Sequence, residues 1–163
     1  MPQSLFHPPG HDHARCEADA IAEAERFCAN RGLRLTPIRR QVLSELISAH
    51  RPFGAYEIID RLAAHGPRPA PVTVYRALDF LLEHGLVHRI ASRNAFIACL
   101  RHHPSGEGVI FLICERCGAA GEASSARVKD TLNAAAAAAG FTPKMPVVEI
   151  IGLCAHCHQR DKA

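Results

Sequence analysis

Two Cys-x-x-Cys pairs, CERC at residues 114–117 and CAHC at 154–157, lie far apart in the C-terminal third of the chain. A single pair can act as a redox couple. Two pairs can bring four thiolates to one centre. Cys114, Cys117, Cys154 and Cys157 have the composition of a closed tetrahedral Zn²⁺ site. In each pair the two-residue spacer lets both sulfurs face one ion from a tight turn. The segment between the pairs is longer than in a compact zinc ribbon and reads as a helix and a strand. A shared ion would therefore staple both ends of a subdomain. The alternative is two independent redox couples, but one thioredoxin-type couple needs no second pair. His156 and His158 read as bystanders in the second pair.

The chain has 163 residues, enough for one or two small domains with a real core. No apolar run approaches the ~18–20 residues of a membrane helix, so no membrane association is expected. The N-terminus MPQSLFHPPGHDH lacks the basic and apolar blocks of a signal peptide, and we read the chain as cytoplasmic. In that compartment paired cysteines are metal ligands or redox groups more often than disulfides.

Charge is uneven. Residues 26–93 hold 11 Arg against 5 acids, a net +6, whereas 106–163 hold 6 basic and 6 acidic residues and balance. An Arg-only excess in one segment suits phosphate contact, because the guanidinium fork matches phosphate oxygens. A solvated basic surface would leave the same trace.

Residues 1–15 are rich in His, Pro and Gly and read as a disordered tail. His7, His11, His13 and Cys16 could hold a metal there, although a floppy tail needs no such role. Four helical patterns follow. The first covers 18–32, with Ile21, Ala24 and Cys28 on one face. The second starts with Thr36 as N-cap and Pro37 at the first helical position, burying Ile38, Val42, Leu46 and Ile47. The third carries Ile58, Ile59 and Leu62 and closes at Gly66. The fourth, PVTVYRALDFLLEHG, buries Val74, Leu78, Leu81 and Leu82 and ends at Gly85. Two short apolar stretches flanking SRN then read as a β-hairpin.

Helices followed by a hairpin wing make a winged helix-turn-helix over 16–100. Residues 101–108 read as a hinge linker. Residues 109–163 read as a small α/β domain: a strand into each Cys pair, a short strand at AAGEA, and a helix with a Ser cap ending at Gly140. The fold class is α+β.

In the fourth helix the apolar stripe leaves Thr73, Tyr75 and Arg76 outside in the first turn. A recognition helix presents such N-terminal residues to base edges in the major groove. Arg reads guanine, and Tyr contacts thymine methyls or phosphate. Arg39, Arg40 and Tyr56 would then contact the DNA backbone. A second metal constellation is less obvious. Antiparallel pairing about SRN sets His88 across from Ile97, so His88 and Cys99 are diagonal on one face. The linker offers His102 and His103, and Glu122 lies just beyond the first Cys pair. A sulfur, imidazoles and a carboxylate make a mixed zinc-type set. A packed Cys and a solvated His would look the same in sequence.

RLTPIRRQVL, TVYRALDFLLEHGLVHR and FLICERCG…GLCAHC resemble the ferric uptake regulator superfamily, closest to its zinc uptake regulator branch, over about residues 17–158. The resemblance implies a homodimeric transcriptional repressor with a C-terminal dimerisation domain. It implies structural zinc on Cys114, Cys117, Cys154 and Cys157, and a recognition helix containing Tyr75 and Arg76. It also implies a regulatory zinc site whose wing His, following Cys and Glu fall on His88, Cys99 and Glu122. The branch's linker His falls at Glu107 here. His103 is the nearest replacement, with His102 and Glu107 as alternatives. The iron and manganese branches mostly use nitrogen and oxygen at this site, whereas a thiolate favours zinc.

The expectation is therefore a zinc-responsive repressor of zinc-uptake genes. It would hold two Zn²⁺ per chain, one structural and one regulatory, and bind a palindromic double-stranded operator as a homodimer. No catalytic triad, phosphate loop or activated nucleophile is evident, so neither an enzyme nor a small organic substrate is expected. The rivals are a sensor of iron, manganese or peroxide in the same superfamily, and a thiol redox protein.

Overall fold

A computed structural model of the chain describes residues 13–48, 51–99, 109–144 and 146–160. They belong to two compact units divided between His102 and His103.

The first unit contains α1 (His13–Asn30), α2 (Pro37–Ser48), α3 (Ala55–Ala63) and α4 (Pro71–Glu83), then β1 (Val87–Ile90) and β2 (Ala95–Ala98). Apolar residues at helical spacing set the core. α2 buries Val42, Leu43, Leu46 and Ile47, α3 buries Ala55, Ile58 and Ile59, and α4 buries Val74, Ala77, Leu78 and Leu81. α1 adds Ile21, Ala24 and Cys28. Ile38, Leu62 and Leu82 sit at the rim of this core, partly buried. Each fully buried Leu or Ile contributes about 1.5–3 kcal/mol.

α2 starts at Pro37, whose missing N–H costs nothing at a first helical position, and Arg40 N–H reaches the Thr36 carbonyl at 3.0 Å. Gly85 adopts φ +67, with Leu86 N–H bonded to the Leu81 carbonyl at 2.9 Å. This Schellman turn needs glycine's left-handed backbone and swings the chain from α4 into β1.

Two helix ends differ from expectation. α1 begins at His13, so part of the expected tail is helical. α3 closes at Ala64 in a right-handed conformation, and Gly66 is not left-handed. Pro67 explains this, because a following proline favours extended backbone over a left-handed cap.

β1 and β2 form the wing, with His88 paired to Ile97 as expected and Val87 paired to Ala98. The turn is a 3-10 segment, Ala91–Arg93, closed by Asn94 at φ 45. Arg89 Nη2 donates to Asn94 Oδ1 at 2.9 Å across it. One feature was not legible in sequence. Phe53 and Phe96 exchange backbone hydrogen bonds of 2.9 and 2.8 Å, and Phe53 is fully buried. The wing is thereby bonded to the segment entering α3. This unit is a winged helix-turn-helix with a leading helix.

The second unit contains β3 (Val109–Cys114), β4 (Ala120–Ser124), α5 (Ala126–Ala138), β5 (Val147–Gly152) and α6 (Ala155–Arg160). The sheet order is β4-β3-β5, antiparallel between β3 and β4 and parallel between β3 and β5. A parallel pair needs a crossover, and α5 lies on that connection. Ser125 caps α5, its hydroxyl accepting Val128 N–H at 3.4 Å. Central β3 buries Val109, Phe111 and Ile113. β5 is an edge strand with Val147, Ile150 and Ile151 exposed. α6 was not expected, and it carries the second Cys pair onward from Cys154.

Candidate functional site

Cys114 ends β3, and a tight turn returns the chain to β4. Gly118 at φ +76 lets that turn close, with Gly118 N–H on the Cys114 carbonyl at 3.0 Å and Cys114 N–H on the Ala119 carbonyl at 2.8 Å. Parallel pairing of Cys114 with Gly152 then delivers Cys154 to the same end of the sheet. His158 N–H bonds the Cys154 carbonyl at 2.9 Å, so α6 turns Cys157 back toward the other sulfurs.

The four Sγ atoms all lie within 4.8 Å of one another. Sulfurs held ~2.3 Å from one zinc ion at tetrahedral angles stand about 3.8 Å apart. Cys117 Sγ and Cys154 Sγ are 3.8 Å apart. That separation fits ligands of a common ion and is far beyond the ~2.05 Å of a disulfide. Cys114, Cys154 and Cys157 are buried. Convergence of all four sulfurs is what one metal needs and two independent redox couples do not.

The electrostatics agree. Burial is the largest influence on the Cys114 thiol and pushes it up. Backbone N–H groups of Cys117, Cys154 and Arg116 aimed at its sulfur outweigh that and hold it at about 6. Cys154 N–H lies 3.4 Å from this sulfur. Burial, then hydrogen bonding among the thiols, pushes Cys157 up to about 12. One thiolate thus forms readily while its neighbour keeps its proton. Four thiolates crowded together require a cation, and Zn²⁺ fits this donor set. His156 and His158 are exposed.

On the wing, His88 and Cys99 share one face, and Cys99 N–H extends the ladder to the Leu86 carbonyl at 2.9 Å. Their ligand atoms lie within 4.8 Å of each other, and both residues are half-buried. Glu122 is half-buried on β4, in register with Phe111. His102, His103 and Glu107 lie outside the described residues, as do His7, His11 and the side chains of His13 and Cys16.

The exposed face of α4 carries Thr73, Tyr75 and Arg76, as expected. Tyr56 on α3 is 64% exposed and borders the same open cleft as Tyr75, between α3, α4 and the wing. Arg89 also borders that cleft and was missed in sequence, although it adjoins His88. Arg39 stacks over Phe80, its guanidinium carbon 3.5 Å from the ring centre, and donates to the Arg34 carbonyl at 2.6 Å. Arg40 pairs with Glu25 at 2.9 Å, both half-exposed. An exposed pair of this kind is worth ~1 kcal/mol or less, so Arg40 can exchange it for a phosphate.

The Ferric uptake regulator family model matches residues 30–151. The chain belongs to this family. This ferric uptake regulator family member is 42% identical over 140 residues to the zinc uptake regulation protein of Escherichia coli (strain K12), covering 85% of this chain and 81% of that protein. A solved structure of a zinc uptake regulator complexed with zinc and DNA covers 90% of this chain and 98% of its own, at 38% identity and a TM-score of 0.85. The crystal structure of holo XcZur covers 86% of this chain and 98% of its own, at 46% identity and a TM-score of 0.77. Among the described residues of this family member, no helix is long and apolar enough to cross a membrane.

Proposed function

We propose that the protein is a zinc-responsive, DNA-binding transcriptional repressor that controls zinc-uptake genes. The observation that carries this is a thiol beside an imidazole, Cys99 and His88, on the wing of a winged helix. Similarity to the zinc uptake regulation protein of E. coli supports the choice of metal. A sensor of iron, manganese or peroxide would have less use for a soft thiolate here.

In this reading Cys114, Cys117, Cys154 and Cys157 hold a structural Zn²⁺. His88, Cys99, Glu122 and His103 hold a regulatory one, with His102 or Glu107 as alternatives to His103. Ligands drawn from both units couple their orientation to zinc. In a homodimer that orientation sets the spacing of two α4 helices, and one spacing fits successive major-groove half-sites of a palindrome. Zinc then acts as a ligand that selects the DNA-competent state. Thr73, Tyr75 and Arg76 face the bases, with Tyr56, Arg39 and Arg40 on the backbone. The apolar edge strand β5 supports dimerisation, since an exposed edge of this kind recruits a second chain.

The test is a gel shift on the operator with zinc buffered over a range of free concentrations. Wild-type protein should bind only as zinc rises. Cys99→Ser should retain one zinc per chain and remain unbound at zinc levels that saturate wild type. Normal zinc-dependent binding by Cys99→Ser would place the sensing site elsewhere.

A further inference from the structure

We infer that Val72 is a sequence-reading residue that packs against a thymine methyl group in each operator half-site. This rests on the DNA-binding reading above and adds a second, apolar element of readout beside Arg76.

Among the described residues of the winged-helix unit, the exposed large apolar side chains are Tyr56, Val72 and Tyr75. A single exposed valine is ordinary. This one has an exposed aromatic neighbour one turn along its helix. Val72 is the second residue of α4, and Tyr75 lies one turn on, so they share a helix face. Tyr75 and Tyr56 border one cleft. Arg76 is four residues beyond Val72 on the same exposed side.

Val72 has little to do for the fold. It is 57% exposed, while the core contacts of α4 come from Val74, Ala77, Leu78 and Leu81. Pro71 already sets the start of the helix. A β-branched side chain at an exposed helical position costs a few tenths of a kcal/mol relative to Ala.

The partner's chemistry follows from the surroundings. The net +6 of residues 26–93 selects a polyanion. Thymine's C5-methyl is the apolar group that a base pair presents in the major groove. Valine has no donor or acceptor with which to read anything else, and it lies in the first turn, the part of a recognition helix that meets base edges. Thus Arg76 supplies polar readout and Val72 reads the presence of a methyl.

The experiment uses full-length, zinc-loaded protein and an operator defined by footprinting. Each half-site thymine is replaced in turn by deoxyuridine, which removes only the methyl, and binding is followed by fluorescence anisotropy. Wild-type protein should lose about fourfold in affinity at one thymine position per half-site, as expected for one buried methyl. Val72→Ala should lose a similar factor on the intact operator and little on random DNA, with a melting temperature no lower than wild type. In Val72→Ala, deoxyuridine at that position should have no further effect. Unchanged operator affinity, equal loss on random DNA, or losses that simply multiply would each overturn the assignment. If wild-type protein does not distinguish operator from random DNA, the DNA-binding reading itself has failed.

Discussion

Phe53 ties the wing to the helical core, and Phe53→Ala should loosen the winged-helix unit as a whole. Its ring is fully buried, so truncation should cost about 3–5 kcal/mol in lost burial and cavity. The guanidinium carbons of Arg51 and Arg61 lie 4.3 and 4.7 Å from the ring centre. Both arginines are partly exposed, so each cation–π contact adds ~0.5–1 kcal/mol. A domain with ~5–15 kcal/mol of stability would lose about a quarter of it or more. With a urea m-value near 2 kcal/mol per molar, the unfolding midpoint should fall by roughly 2 M. Hydrogen exchange read on peptides covering 87–98 should report the loss directly, because the Phe53–Phe96 bonds terminate on β2. Phe53→Leu, which keeps most of the volume and the backbone bonds, should cost far less. A change below about 1 kcal/mol for Phe53→Ala, with wing exchange unaltered, would refute the anchoring role.

Cys114→Ser should lose the structural zinc and unfold residues 109–160, since such an ion contributes ~10 kcal/mol or more of folding free energy; metal analysis and a melting curve check this. Arg76→Ala should weaken operator binding by roughly 1–3 kcal/mol and random-DNA binding much less, whereas equal losses would make it a phosphate contact. For wild type, log affinity should fall with log salt at about −0.9 per neutralised phosphate, a slope that a salt titration reads. Zinc-dependent binding should fade on acidification, because Cys99 must lose its proton to coordinate; a response unchanged at acidic pH would argue against a thiolate ligand.

Local signals carried much of the fold. The 3.6-residue periodicity located α2, α3 and α4, Gly85 marked the end of α4, and Ser125 marked the start of α5. SRN set the register that puts His88 and Cys99 on one face. The four-Cys centre was also legible, because ligand type and spacing are local properties. Non-local features were not legible. The Phe53–Phe96 bridge joins residues far apart in sequence, and a lone buried Phe carries no sign of its partner. Parallel pairing placed β3 between β4 and β5, which strand-length patterns cannot specify. The Gly66 cap failed because Pro67 outweighed glycine's preference. Val72 lies out of phase with the Val74, Leu78 and Leu81 stripe, and its exposure agrees with that.

The most direct test of the central claim is a selection of fragments from the source genome by the purified protein at buffered metal. The account predicts enrichment of a palindromic sequence beside zinc-uptake genes when each chain holds two zinc ions, and its loss when chelation leaves one. Equal enrichment at one zinc per chain, or enrichment driven by iron or manganese and not by zinc, would contradict it.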